Sequence, residues 1–560
     1  AKRVIMCLNF LYGTSTPCGK PNACQQPVMQ RVVDRSVDFL SRLQSCHDNE
    51  WEKVAPDWLP NLSSTHTPKY GNLQAGHVDV LCNAAEFDPN LALSSNIKEV
   101  LHSTEDIFPN PPADLAKFEG VNESERCEYI KLVCRQLRSG QLGLSSCVRG
   151  GGAVIAVGKP NGTTQRAVWH GRRVSMSAIK PPKPRRLVSP SALTHMQASK
   201  SKPMYLSKRD AACWFDQLAL PVNLRSFMAR PAVTLKELTD TGGMSVDDVT
   251  ACLEHGSTLD ARRLWPVSRS WPMGFAWSSY IAQESMLYIC NDSGLSMDAN
   301  LSNEAPTPHA EAVMFGVATD DVMFLSTLGP GRTQAAAELL DQSLTNHGGL
   351  KNPAKDINDQ LDGACVGVNL EQGLCLGVPP ARCLCQVLGA LHFASSRMGS
   401  PQEVHQHLGV SQWFDLLRRG KFAVYHSIYE FTRQRDDMLV RRLPESVTDE
   451  LLLSVFLGIF WKHNLTKPPL PTVLAADASS KYGFGASCFA TSEGNVKGRA
   501  RHAEKQGDYV LLDGGLRSGE YLERLGRPHS LNIPKDEFVH IFSVRAKRPG
   551  HINVLEGEAF

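Results

Sequence analysis

Between Tyr129 and Arg209 the chain contains no Asp and no Glu, while the same window carries sixteen Lys and Arg residues. Protein surfaces ordinarily intersperse both signs, so an acid-free window of this length excludes an evenly charged face. A surface of one positive sign attracts polyanions, and phosphate binding is the expected role. The bias is local: with 59 Lys+Arg against 57 Asp+Glu, the whole chain has a formal net charge of only +2. A CxxC pair and any zinc-type Cys/His spacing are also lacking, although there are sixteen cysteines. That excludes the common structural zinc sites. Cys383 and Cys385, the closest pair, read as period-two neighbours on a strand. All sixteen read as reduced thiols of a cytosolic or nuclear protein. Long apolar runs are missing as well. The longest near a helix, Leu451 to Trp461, is too short to span a bilayer. Ala1-Lys2-Arg3 followed by Val4 to Leu11 mimics a signal peptide. Asn9 and the lack of a clear cleavage site favour the cut edge of a longer product.

What is present suits a globular protein: 42% hydrophobic and 21% charged residues over 560 positions, enough for about three to five domains. Residues 1–128 read as a mostly helical accessory region. In it, Gln30 to Leu43 places Val32, Val33, Val37, Phe39, Leu40 and Leu43 mainly on one helical face. Within the basic window, Ala153 to Val157 and Gln165 to Trp169 read as strands. They flank Lys159-Pro160-Asn161-Gly162-Thr163-Thr164, a hairpin turn marked by Asn-Gly. Lys159 and Arg166 should project together from it. A strand then ends at Asp210, followed by a tight turn with Phe215 five residues on. Trp271-Pro272-Met273-Gly274-Phe275 opens a helix, with Gly274 expected to let backbone approach a ligand and the helix N-terminus to favour phosphate.

The most informative stretch is Val317-Ala318-Thr319-Asp320-Asp321-Val322-Met323-Phe324-Leu325. Its apolar flanks read as buried strands and its acidic pair as the turn between them. Adjacent buried carboxylates need a cation, and hard divalent ions with oxygen ligands serve best. Asp247-Asp248, in a helix-like Ser-Val-Asp-Asp-Val-Thr stretch, reads instead as solvated. After the acidic hairpin come a helix over Thr333 to Thr345, a Gly349 to Lys355 loop and a Gly363-containing hairpin.

Taken in order, these parts resemble the fingers and palm of a reverse transcriptase over roughly residues 150–370. The resemblance implies an α+β fold: a right-hand polymerase of fingers, palm and thumb, then a partial ribonuclease H-like α/β domain. The boundaries expected are 1–128 (helical accessory region), 129–209 (basic fingers), 210–370 (palm), 371–465 (thumb and connection) and 466–560 (ribonuclease H-like). In the thumb, Leu384 to Met398, Pro401 to Phe431 and Ser446 to Trp461 read as helices. The resemblance assigns Asp210, Asp320 and Asp321 to metal binding and catalysis, with two Mg²⁺ ions or Mn²⁺ in their place. It assigns Lys159, Arg166, Arg172, Phe215, Gly274 and Lys355 to the dNTP. Phe215 screens the sugar 2′ position and Lys355 lies near the leaving pyrophosphate. Asp477 and Glu556 match the first two carboxylates of a ribonuclease H, and Asp513 reads as a turn residue. The wording of this last module is most similar to DIRS-type retrotransposons. Departures from the family pattern are Ala318 where Tyr is usual, Met273 before the glycine, and His170 where many members have Asp.

The implied activity is RNA-directed DNA polymerisation on an RNA or DNA template-primer, with dNTPs as substrates and no membrane partner. Three competitors stand beside it. A decayed element could bind nucleic acid without polymerising. An RNA-dependent RNA polymerase shares the palm carboxylates, but Phe215 penalises ribonucleotides. A structural protein would need six motifs to fall in order by coincidence.

Overall fold

The computed structural model describes residues 2–11, 23, 25–58, 72–159, 164–433, 437–479, 483–501 and 535–545. Helices and sheets are mixed along the chain. Among the described residues no helix is long and apolar enough to cross a membrane.

The first long element is a helix over Gln25–Trp58 (α1). It buries Val32, Ser36, Leu43 and Cys46, with Phe39 partly covered. These positions recur every three or four residues and form one stripe. Val33, Val37 and Leu40 lie outside that stripe and are exposed, so the expected single apolar face is split. The buried stripe packs on the helix Pro380–Ser396, and Arg42 pairs with Glu371 at 2.6 Å.

The basic window forms the expected hairpin. Its strands Ala153–Gly158 (β1) and Gln165–His170 (β2) pair antiparallel, with Val157 opposite Arg166. Lys159 N–H donates to the Thr164 carbonyl at 2.8 Å. The turn residues 160–163 lie outside the described residues.

The centre of the fold is a four-stranded antiparallel sheet of Tyr205–Asp210 (β3), Met314–Ala318 (β4), Asp321–Ser326 (β5) and Ile357–Gln360 (β6). Its order is β4-β5-β3-β6. Period-two alternation sends Phe315, Val317, Val322 and Phe324 into one core with Trp214, Ile281 and Leu340. Leu206, Met314, Met323 and Leu325 enter a second core with Val188, Leu193, Leu376 and Trp461. Each fully buried Phe or Leu contributes roughly 1.5–3 kcal/mol. A register slip of one residue would move all eight to the wrong face. Burial on both faces therefore fixes where the strand ends, and their carboxylates, sit.

Two helices cover the first core. The helix Ser278–Asp292 (α2) is buried on nearly every face, including its polar Gln283 and Glu284. The helix Arg332–Asn346 (α3) turns Ala337, Leu340 and Leu344 inward and leaves Leu339 exposed. Downstream, Pro380–Ser396 and Glu445–Phe456 are helical, while the expected Pro401 to Phe431 stretch is broken into a helix Pro401–Asp415, a tight turn over Arg419–Val424 and a short helix Ser427–Phe431. Cys383 and Cys385 lie on the first of these, not on a strand. Pro380 at its first position fits a helix start, and Cys383, Leu384 and Ala390 form the buried side. The thirteen cysteines whose side chains are described are free. Near the end, Thr472–Ser479, Gly483–Ala490 and Val539–Val544 form a three-stranded antiparallel sheet. Asp477 is exposed there, opposite Gly485. Glu556 and Asp513 lie outside the described residues.

Candidate functional site

Asp210 is the last residue of β3 and Asp321 the first of β5, and the two are paired in register. The β4–β5 turn closes tightly, since Ala318 pairs with Asp321. Thr319 and Asp320 alone make the loop. The sequence placed both acids in the turn; only Asp320 is there, and Asp321 already belongs to the strand. Thr319 sits at φ +63°, an uncommon conformation for a β-branched residue that costs on the order of 1–3 kcal/mol. Gln283 of α2 holds it. Its Oε1 accepts from Thr319 N–H at 2.8 Å, and its Nε2 donates to the Arg185 carbonyl at 3.2 Å and the Val317 carbonyl at 3.4 Å. From the other side, Ala211 N–H donates to the Asp320 carbonyl at 3.0 Å. The acidic turn is thus pinned to both α2 and the residue following Asp210.

Asp210 is 4% exposed. Its Oδ1 accepts from Lys355 Nζ at 2.9 Å, and its carbonyl accepts from Asn352 N–H at 2.7 Å. Lys208, two residues earlier on the same face of β3, places Nζ 3.0 Å from Asp321 Oδ1. The two form an ion pair beside Asp210. Burial pushes the Asp321 carboxyl up to about 6; Lys208 opposes this, and the nearby Asp210 and Asp320 add to it. Burial also raises Asp320. Its own backbone N–H opposes the rise, Asp210 adds to it, and Lys355 and Arg166 oppose it. Three carboxylates therefore share one neighbourhood with three cations.

The donor set is all hard oxygen, the type that suits Mg²⁺. Carboxyls pushed up by burial and by one another are what such an ion would relieve. By that test the residues fit a divalent ion in charge and chemistry. Among the described residues, however, no group of three or more His, Cys, Asp or Glu side chains is arranged as a ready cage. Lys355 occupies Asp210, and Lys208 stands against Asp321.

The other expected residues are placed unevenly. Arg166 is exposed on β2, and its charge reaches Asp320. Lys159 is engaged elsewhere, in an ion pair with Asp79. Arg172 is exposed at the first position of the short helix Arg172–Ser177. Phe215, in the turn Trp214–Gln217, is half-buried against the first core. Gly274 has a structural cause. At φ +118°, a Cβ there would lie 2.1 Å from the Trp169 carbonyl oxygen. The close approach is to the β2 backbone, where Trp169 N–H also donates to the Met273 carbonyl at 3.0 Å. Asp247 and Asp248 sit in the first turn of Val246–Ala251, where Asp248 and Ser245 cap the helix.

Sequence reasoning missed Lys208 and Gln283. Lys208 could have been found from its period-two spacing to Asp210. Gln283 carried no signal, because nothing local distinguishes it from the other polar residues of α2.

No protein-family model matches the chain, and no curated protein matches it. Among solved structures, a foamy viral protease-reverse transcriptase in complex with double-stranded DNA aligns at TM-score 0.41 and 15% identity, over 70% of this chain and 61% of that one. A foamy viral protease-reverse transcriptase in complex with RNA/DNA hybrid aligns at TM-score 0.40 and 14% identity, over 70% and 47%. The chain spans less than two thirds of either.

Proposed function

We propose that the chain is an RNA-directed DNA polymerase of retrotransposon type, adding deoxynucleotides to a primer 3′-hydroxyl on an RNA or DNA template. One observation carries the reading: Asp210 and Asp320-Asp321, more than a hundred residues apart, share one buried neighbourhood at adjoining strand ends. In this reading the 3′-oxygen bonds to the α-phosphorus of the dNTP while the bond to pyrophosphate breaks. Asp210 and Asp320, assisted by Asp321, would hold two Mg²⁺ ions, or Mn²⁺ in their place. Such ions, when bound, supply hydroxyl activation and neutralisation of the leaving group. The protein's own part is positioning and charge. Arg166 grips triphosphate oxygens bidentately, joined by Arg172 and by Lys159 once released from Asp79. Lys355 leaves Asp210 for the pyrophosphate and gives it a proton. Phe215 excludes the ribose 2′-hydroxyl, and Gly274 lets its turn close on the Trp169 carbonyl of β2. The basic window, the 371–465 helices and the terminal sheet serve as fingers, thumb and a ribonuclease H-like module bearing Asp477. The DIRS-type affinity belongs to the same proposal.

A second reading, nucleic-acid binding without polymerisation, is favoured by one specific feature. Lys355 and Lys208 already stand where cations would be held. Primer extension on an RNA template with dNTPs and Mg²⁺ separates the two. Extension by the wild type and none by Asp320→Asn supports the polymerase. No extension by either protein, with template still bound, supports the second reading.

A further inference from the structure

Of the two lysines that stand against the carboxylates, one is free to leave and the other is not. Lys355 ends the short turn Pro353–Lys355, and its side chain is 51% exposed. Lys208 lies in the middle of the sheet. β3 runs between β5 and β6, with Lys208 in register with Met323 on one side and Ile357 on the other. Its carbonyl is fixed as well. Arg209 donates from Nη1 to the Lys208 carbonyl at 2.9 Å and to the Ile357 carbonyl at 3.1 Å, and from Nε to Asp341 Oδ2 at 2.9 Å.

Register then decides what Lys208 can reach. Asp321 pairs with Asp210 and Met323 with Lys208, so Asp321 is the diagonal neighbour of Lys208 on one face of the sheet. Leu206 and Met323 share that face and are fully buried. They close the apolar side and leave the ammonium the acidic end, where it lies 3.0 Å from Asp321 Oδ1 with 16% of its side chain exposed. A charge so enclosed stays with its partner, because an unpaired buried charge is costly. Asp321 is thereby tied to a cation of the protein itself, while Asp210 is held only by a half-exposed lysine on a turn. A divalent ion entering the cluster meets Asp210 and Asp320 and, beside them, a fixed ammonium. Like charges at such short range repel even in a polarisable medium.

We propose, on the reading that the three carboxylates hold a divalent ion, that Lys208 is a positioning residue. It is a resident cation that keeps Asp321 for itself, so that the ion is left with Asp210 and Asp320 and binds more weakly than three carboxylates would hold it.

The test is titration of the full chain with Mn²⁺ in the absence of nucleotide, read by loss of the free-ion electron paramagnetic resonance signal. Lys208→Met should bind the ion roughly tenfold or more tightly than the wild type, because Asp321 is released. Asp321→Asn should bind roughly tenfold or more weakly, because the ammonium remains without its partner. The double variant Lys208→Met/Asp321→Asn should return to within about threefold of the wild type, since the pair it removes is neutral. Lys208→Arg, which keeps the charge, should bind like the wild type. Thermal melting with a chelator reports folding, and Lys208→Gln replaces Lys208→Met if the latter does not fold. Equal affinity in the wild type and the neutral Lys208 variant overturns the proposal. So does a double variant as weak as Asp321→Asn, or a neutral Lys208 variant that binds no Mn²⁺. Primer extension is scored separately. A wild type that fails to extend while the neutral Lys208 variant gains metal affinity defeats the polymerase reading alone, and extension with unchanged metal affinity defeats this proposal alone.

Discussion

Replacing Asp321 with Asn should make the metal-free protein more stable at neutral pH. A carboxyl held at about 6 instead of its ordinary 3.8 costs about 3 kcal/mol when ionised, at about 1.4 kcal/mol per tenfold. The substitution removes that cost but strands Lys208, which lies 3.0 Å away with its side chain 16% exposed. That loss is already contained in the shift, which Lys208 lowers, so the gain amounts to up to about 3 kcal/mol. The sign with pH follows from proton uptake. Between about pH 6 and 4 the native Asp321 is protonated and the unfolded one is not, so wild-type stability from this group rises as pH falls. The advantage of Asn should therefore be full at pH 7.5, shrink through pH 6 and vanish near pH 4. Urea unfolding with a chelator, at pH 7.5 and pH 5, reads the gap. Saturating Mg²⁺ should then stabilise the wild type more than the variant. A variant less stable than wild type at pH 7.5, or a gap unchanged at pH 5, refutes the reasoning.

Three further substitutions probe the supports around the site. Gly274→Ala forces a Cβ against the Trp169 carbonyl at a left-handed φ and should cost about 2–4 kcal/mol in thermal unfolding. Gln283→Leu leaves the Thr319 N–H unsatisfied, at about 1–3 kcal/mol; nucleotide incorporation should fall at least tenfold with template affinity unchanged. Phe215→Ala should raise ribonucleotide incorporation relative to deoxynucleotide, read in single-nucleotide extension, and an unchanged ratio removes Phe215 from sugar selection.

The parts legible in the sequence were those written in local periodicity. Alternation around Asp320-Asp321 marked two buried strands and a third was read to end at Asp210, and burying these strands on both faces forces their acidic ends together. The Asn-Gly hairpin and the long helices were legible for the same reason. What escaped depended on partners distant in sequence. Lys159 could not reveal that Asp79, eighty positions earlier, holds it. Gly274 looked like an opening for a ligand, but its cause is the carbonyl of Trp169. The alternation in Arg-Cys-Leu-Cys-Gln suggested a strand, where Pro380 and the longer apolar spacing make a helix. Val33, Val37 and Leu40 seemed to share a face with Val32 because the helical pattern does not say which stripe its partner covers.

The most direct measurement is single-turnover incorporation of one dNTP on a primed RNA template with Mg²⁺, comparing wild type, Asp210→Asn and Asp247→Asn. Asp247 belongs to the exposed acidic pair that only caps a helix. The account predicts incorporation by wild type and Asp247→Asn alike, and none by Asp210→Asn, which should still bind the template-primer. Incorporation by Asp210→Asn at the wild-type rate would contradict it.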